Sequence, residues 1–218
     1  MKSLYCLVLC LFCSIISSAQ GPEVVIPRPL TYTLTGGEYV YTEHPDIKVV
    51  KVKEGGAPES YELYVTKRGV RIKASSEVGE FYARQTLAQM TRDGECKVLQ
   101  CCEIKDAPRF PYRGLHVDVS RHFRSIDFLK KQIDAMAMFK MNRLHLHLTD
   151  AAGWRMQIDA YPRLTSFAAW RPQHTWKEWW ADERLYVEEG QEGAYGGYYT
   201  KEELKDIVKY CEERYIEV

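Results

Sequence analysis

The chain has 218 residues, and its 30 lysines and arginines balance 30 aspartates and glutamates. A zero formal charge with no basic stripe and no acidic tail argues against a nucleic-acid partner. There are no repeats or low-complexity tracts, and the length leaves room for one small domain plus part of a larger one.

Residues 1–19 read as a secretory signal. Lys2 gives a positive start, Leu4 to Ile16 is apolar, and Ser17-Ser18-Ala19 supplies small residues for cleavage before Gln20. The apolar run is too short for a comfortable membrane span. The expectation is an exported protein, in a bacterial periplasm or secreted, with no stable membrane insertion once the leader is gone. The alternatives are a leader retained as an anchor, or a lipoprotein. Leu9 and Phe12 before Cys10 and Cys13 are poor lipoprotein signals. Of seven cysteines, Cys6, Cys10 and Cys13 lie in this leader. Cys96, Cys101, Cys102 and Cys211 remain, without metal-ligand spacing. A disulfide from Cys96 to Cys101 or Cys102 is open to an exported chain. Small apolar fillers in strands are the plainer reading.

Residues 22–107 read as a small α+β domain. Pro22, Pro27 and Pro29 mark an extended start, and Ile47 to Val52 is a strand. Lys53 to Ser60, with Gly55, Gly56 and Pro58, is a loop. Tyr61, Leu63 and Val65 alternate with polar or amphipathic neighbours, and after Lys67-Arg68-Gly69 the alternation resumes at Val70, Ile72 and Ala74. That is a hairpin. Ser76 caps a helix from Glu77 to Met90, with Ala83, Leu87 and Met90 on one stripe. Arg92-Asp93-Gly94 turns the chain into a strand over 96–104. Asp106 to Pro111 is a linker stiffened by two prolines.

Residues 108–218 change character. Leu115, Val117 and Val119 alternate with His116, Asp118 and Ser120, the two-residue period of a strand. Ser125 offers an N-cap, and Ile126, Leu129, Ile133 and Met136 follow at helical spacing. Asn142 is placed to end the helix in the left-handed conformation. Leu144, Leu146 and Leu148 then alternate with His145, His147 and Thr149. Strand, helix and strand make a βαβ unit with a parallel pair and a right-handed crossover. A long connection to Tyr199 carries five tryptophans, Trp154, Trp170, Trp176, Trp179 and Trp180, with a short helix over 176–180. Indole faces suit the CH-rich faces of sugars, so at least one is expected to meet a saccharide while others bury the loop. Thr200 and Glu203 form a capping box ahead of Leu204, Ile207, Val208 and Cys211, and Arg214 to Val218 begins a third strand.

Arg121 and Asp150 each lie just past a strand. In a βα barrel the loops at the strands' C-terminal ends form the active face, so the two are candidates for gripping a polar substrate. A plain ion pair between them, or helix capping, needs the same placement.

Here the chain resembles a known family. Arg113-Gly114, Asp118-Val119-Ser120-Arg121-His122-Phe123, Lys140-Met141-Asn142, His145 to Asp150, Gly153-Trp154-Arg155 and Tyr161-Pro162-Arg163-Leu164-Thr165 look like the opening of the catalytic barrel of glycoside hydrolase family 20, the β-N-acetylhexosaminidases. Gly79 to Leu87 is similar to the helix of the non-catalytic domain that precedes and packs on that barrel. The resemblance implies an α/β protein: the small α+β domain, then the first βα units of a (β/α)8 TIM barrel, truncated. A whole barrel takes about 250 residues, so this chain is expected to be the N-terminal part of a longer protein and inactive alone.

The implied activity is hydrolysis of terminal β-linked N-acetyl-hexosamines with retention, where the substrate's own 2-acetamido group is the nucleophile. Glycans containing N-acetylglucosamine or N-acetylgalactosamine would be the partners, with no cofactor and no metal. Arg121 matches the arginine that binds the sugar's hydroxyls. Asp150 matches the aspartate that pairs with a downstream His beside the catalytic Glu. The Asp-Glu pair that does the chemistry is not in this chain, and Asp182-Glu183 lacks its preceding glycines and strand. Many members have a second Asp after the Asp150 position, where this chain has Ala151-Ala152. His116, His145 and His147 fit packed, hydrogen-bonded barrel residues better than metal ligands. A carbohydrate-binding barrel without the chemistry is the alternative function, and an exported barrel hydrolase with a carboxylate nucleophile is a third.

Overall fold

The structure, a computed structural model, describes residues 25–52, 57–92 and 97–218. The leader, the loop glycines Gly55 and Gly56, and Cys96 with its proposed disulfide lie outside the described residues. The chain divides into two compact units between Arg109 and Phe110.

The first unit is one sheet with one helix. Strands β1 (Thr31–Val40), β2 (Ile47–Lys51), β3 (Tyr61–Thr66), β4 (Gly69–Ala74) and β5 (Val98–Asp106) stand in the order β1-β5-β3-β4-β2. All neighbours are antiparallel except β2 and β4. The hairpin is as the alternation predicts: Thr66 pairs with Gly69 and Tyr61 with Ala74. Leu63, Val65, Val70 and Ile72 point into the core. Helix α1 (Glu77–Thr91) covers that face with Tyr82, Ala83, Leu87 and Met90. Its Ser76 cap accepts the Gly79 N–H at 3.1 Å. Gly79 is required there, because a Cβ would collide with the carbonyl of Ser60.

Two expectations need correction in this unit. The last strand spans Val98 to Asp106, two residues past the expected end at Ile104, and its expected first residue, Cys96, lies outside the described residues. Strand β1 was not foreseen. Gly36 and Gly37 sit in its middle at positive φ, and the register with β5 shifts between Leu34 and Glu38. That bulge breaks the alternation that would have announced the strand. Cys101 and Cys102 are buried free thiols within β5, as the filler reading has it.

The second unit begins with β6 (Gly114–Asp118), α2 (Ile126–Met138) and β7 (Arg143–His147). β6 and β7 pair in parallel, Gly114 opposite Arg143 and Asp118 opposite His147. Helix α2 buries Leu129, Ile133 and Met136, and Ser125 caps it by accepting the Phe128 N–H. Its C-terminus corrects the expectation for Asn142. Lys140 takes the left-handed conformation at φ 58°, and the N–H groups of Lys140 and Met141 return to Ala137 and Met136. This double return satisfies the last carbonyls before Asn142 is reached. Asn142 instead accepts the Arg113 N–H and donates to Pro111, both at 2.9 Å.

The alternation of Leu144 to Leu148 also stops short. After Leu148 the chain turns into a two-residue ladder, β8 (Thr149–Asp150) against β9 (Gly153–Trp154). The long connection then forms α3 (Arg163–Ser166), β10 (Trp170–Arg171), α4 (Trp176–Ala181) and β11 (Tyr195–Gly196). Helix α5 (Lys201–Glu212) has the foreseen capping box and packs against α2. The third strand is present as a parallel bridge of Arg143 to Glu217.

Candidate active site

The C-terminal ends of β6 and β7 deliver Arg121 and Asp150 to one place. Arg121 Nη1 lies 3.1 Å from Asp150 Oδ2 and 2.9 Å from Asp118 Oδ2. It also lies 2.8 Å from His147 Nε2, which is 3.1 Å from Asp150 Oδ2. One nitrogen therefore holds two carboxylates and an imidazole. A protonated His147 Nε2 donates to Asp150; a bare one accepts from Arg121. The side chains of Arg121 and Asp150 are 39% and 38% exposed, so the pair is in contact with solvent. Functional and plain ion-pair readings thus start from the same geometry.

Local backbone chemistry aims both groups. Asp118 Oδ1 accepts the N–H groups of Ser120 and Arg121 at 3.0 and 3.1 Å, a turn that sends the Arg121 side chain back over β6. Asp150 Oδ1 accepts the Ala151 N–H at 2.6 Å. That bond first, then the Arg121 charge and the His147 contact, holds the Asp150 carboxyl below the usual carboxylate range.

Beneath the rim lie two guanidinium groups with 0% exposure. Arg155 donates to the carbonyls of Val119, Ser120, Ala169 and Gly197 at 3.0, 2.8, 2.5 and 2.9 Å. Arg171 donates to Gln173, Ala152, Arg121 and His174 at 2.8, 3.2, 2.8 and 3.4 Å. Burial and then the neighbouring Arg171 charge lower the Arg155 pKa to about 10, and burial lowers Arg171 as well. Ser120 Oγ donates to Gly153 at 2.7 Å, a further tie between the two turns.

The sequence singles out Arg121 and Asp150 but not Asp118, His147 or Arg171. Asp118 and His147 sit at polar positions of the alternating strands, where position alone assigns them no partner. The spacing of Asp118 three residues before Arg121 was the available signal. His147 is hydrogen-bonded, whereas His116 and His145 are exposed in this chain and meet through their rings at 4.6 Å. Among the described residues no group of three His, Cys, Asp or Glu is placed to hold a metal ion. Next to Arg121, His122 is bonded to the Tyr195 hydroxyl at 2.8 Å, and its pKa is lowered by burial and then by Arg124, Arg171 and Arg155.

The tryptophans divide. Trp179 is buried and donates to Leu185, and Trp170 donates to Thr165. Trp176 and Trp180 are exposed on α4, stacked at 5.3 Å between ring centres, with Arg184 over Trp180.

Comparison with known proteins adds to this geometry. The model of the glycosyl hydrolase family 20 catalytic domain matches residues 110–218, and that of family 20 domain 2 matches residues 31–107. The chain is 42% identical over 168 residues to a beta-hexosaminidase of Porphyromonas gingivalis, covering 73% of this chain and 20% of that protein. It is 40% identical over 159 residues to an N,N'-diacetylchitobiase of Vibrio harveyi, covering 73% of this chain and 18% of that one. It superposes on a crystal structure of a beta-N-acetylhexosaminidase with TM-score 0.74 and 35% identity, over 91% of this chain and 39% of the other. For an exo beta-N-acetylglucosaminidase from Vibrio harveyi in complex with N-acetylglucosamine the TM-score is 0.73 at 28% identity, over 93% of this chain and 36% of the other. The chain thus spans about a fifth of the length of these curated relatives.

Proposed function

Because the chain belongs to glycosyl hydrolase family 20, we propose that residues 110–218 supply the sugar-gripping rim of a barrel that removes terminal β-linked N-acetyl-hexosamines from glycans. Arg121 forks across two neighbouring hydroxyls of the terminal sugar, a geometry that a planar guanidinium offers and an ammonium does not. Asp150 orients a histidine from a later strand beside the catalytic acid. The 2-acetamido carbonyl oxygen attacks the anomeric carbon while that acid protonates the leaving oxygen. The resulting oxazolinium is opened by water with net retention. The Asp-Glu pair for this step would come from a further barrel strand, since Asp182-Glu183 lies in the turn after α4.

The observation that carries this reading is the meeting of Arg121 and Asp150 at 3.1 Å, from adjacent parallel strands, on a surface still open to solvent. The test is kcat/KM for an aryl N-acetyl-β-glucosaminide, measured on a protein in which these residues stand within a complete catalytic domain. Arg121→Ala should lower it about 30- to 150-fold, the loss of a charged hydrogen-bond pair of about 2–3 kcal/mol. An unchanged constant removes Arg121 from sugar binding. The reaction is placed outside the cytoplasm on the strength of Lys2, the apolar run and Ser17-Ser18-Ala19. Mass analysis of the mature N-terminus checks this, with Gln20 as the expected first residue.

A further inference from the structure

We propose that Arg171 is a positioning residue that fixes the turn carrying Arg121 against the turn carrying Asp150. The proposal rests on the reading of those two residues as the sugar-gripping pair.

Arg171 lies in β10, far along the chain from both turns, yet its guanidinium bonds to both. One Nη donates to the carbonyl of Arg121 itself at 2.8 Å, and the other donates to Ala152 at 3.2 Å. The fork is planar and rigid, so the separation of those two carbonyls is set by the group that spans them. Ala152 follows Ala151, whose N–H holds Asp150 Oδ1. A shift of that turn therefore turns the Asp150 carboxylate, and a shift at the Arg121 carbonyl moves the base of its side chain.

The chemistry of the clamp argues for a positioning role. Arg171 is 0% exposed, and neither it nor Arg155 forms an ion pair among the described residues. Their only other charge-stabilising contacts among these residues are ring faces, Tyr195 at 5.5 Å under Arg171 and Phe123 at 5.7 Å under Arg155, and burying a cation without a carboxylate is costly. A loop that needed only filling would be served by an apolar side chain of similar volume. What the guanidinium adds is several donors in one plane, reaching two rim turns and its own strand end at Gln173 and His174 together. Arg155 makes a useful contrast. Its bonds tie Val119 and Ser120 to the long connection at Ala169 and Gly197 but do not reach the Ala151-Ala152 turn. Arg155 secures one turn; Arg171 couples two.

The groups facing Asp150 are Arg121 from the end of β6, His147 from β7, and Tyr186, whose hydroxyl donates to the Ala151 carbonyl. Asp118 faces it across Arg121. Without the clamp the turn keeps the β8–β9 ladder and the Tyr186 hydroxyl, but the Ala151 N–H, the largest of the influences that hold the Asp150 carboxyl low, is no longer fixed square on Oδ1. Its titration then moves up toward the ordinary carboxylate value.

Two arms test the proposal. In the first, the Asp150 carboxyl is titrated by carbon-13 NMR in this chain, with Arg171 and with Arg171→Lys. The lysine keeps the charge but not the fork, so the expected result is a midpoint at higher pH; an unchanged midpoint overturns the proposal. In the second, Arg171→Lys and Arg171→Met are assayed on the aryl amino-sugar within a complete catalytic domain. KM should rise at least tenfold, more than kcat falls, and the acidic limb of kcat/KM should move to higher pH. If Arg171→Met does not fold, Arg171→Lys decides alone, and wild-type KM and pH profile in it overturn the proposal. A moved midpoint in a protein that cleaves no amino-sugar leaves the clamp standing and removes the functional reading instead.

Discussion

In the five-stranded sheet, charges face one another along the solvated side. Glu62 meets Lys73 at 3.3 Å across β3 and β4, Lys105 meets Glu103 at 3.2 Å, and Arg71 lies over the Tyr64 ring. In the parallel pair β6 and β7 the charges stand at the strand ends instead, and buried guanidinium groups grip the turns below them. The first arrangement follows from the two-residue period alone: one side chain goes to the core and the next to water. The second needs parts from residues 118 to 197 to arrive together. Charge along a sheet face is solvation; charge at a strand end, braced from beneath, is what marks the candidate site.

The widest gap between the two arrangements should show in stability. Arg155→Met removes a donor from four buried carbonyls, of which Ala169 keeps the Gly197 N–H, and should cost about 3–5 kcal/mol. Lys73→Ala removes a solvent-screened surface pair and should cost far less. Chemical denaturation of the two variants measures the difference, and equal costs would break the comparison.

Asp150→Asn is expected to lower turnover roughly tenfold in the complete catalytic domain, with KM less affected. Its pH dependence follows from the lowered pKa of Asp150, caused first by the Ala151 N–H and then by Arg121. A depressed carboxyl contributes stability that is present above its unfolded value of about 3.9 and lost as pH falls through the folded value. The rim should therefore loosen only in that acid window, and Asp150→Asn should remove the dependence. An identical pH profile would take Asp150 out of the relay.

The smallest effect is assigned to the exposed indoles. Trp176→Ala and Trp180→Ala should change stability by about 0.5 kcal/mol or less. Either should raise KM for longer N-acetyl-glucosaminide chains a few-fold while leaving the aryl substrate alone. Equal KM values for long glycans would assign the pair to the loop's own packing.

Much of this fold could be read before the structure, for reasons that differ by region. The β3–β4 hairpin, α1 with its Ser76 cap, α2 and α5 announce themselves through period and capping, because each buries one clean face. β1 did not, because its two glycines and bulge interrupt the pattern. At the rim, Arg121 and Asp150 were legible as polar residues just past apolar alternation. Asp118 and His147 were not, since each lies three residues before its local partner, Arg121 or Asp150, and only the turn after the strand brings such a pair together. Arg171 was the least legible. A single arginine in a long connection has no period, and only tertiary structure shows that it reaches back 50 residues to the Arg121 carbonyl.

The central claim is that Arg121 leaves its ion pairs to hold a sugar. The most direct measurement is a crystal structure of these residues within a complete catalytic domain, soaked with N-acetylglucosamine. The account predicts two ring hydroxyls within hydrogen-bond distance of the Arg121 guanidinium, with Asp150 turned toward a histidine of a later strand. A sugar bound elsewhere, with Arg121 still locked to Asp118 and Asp150, would contradict it.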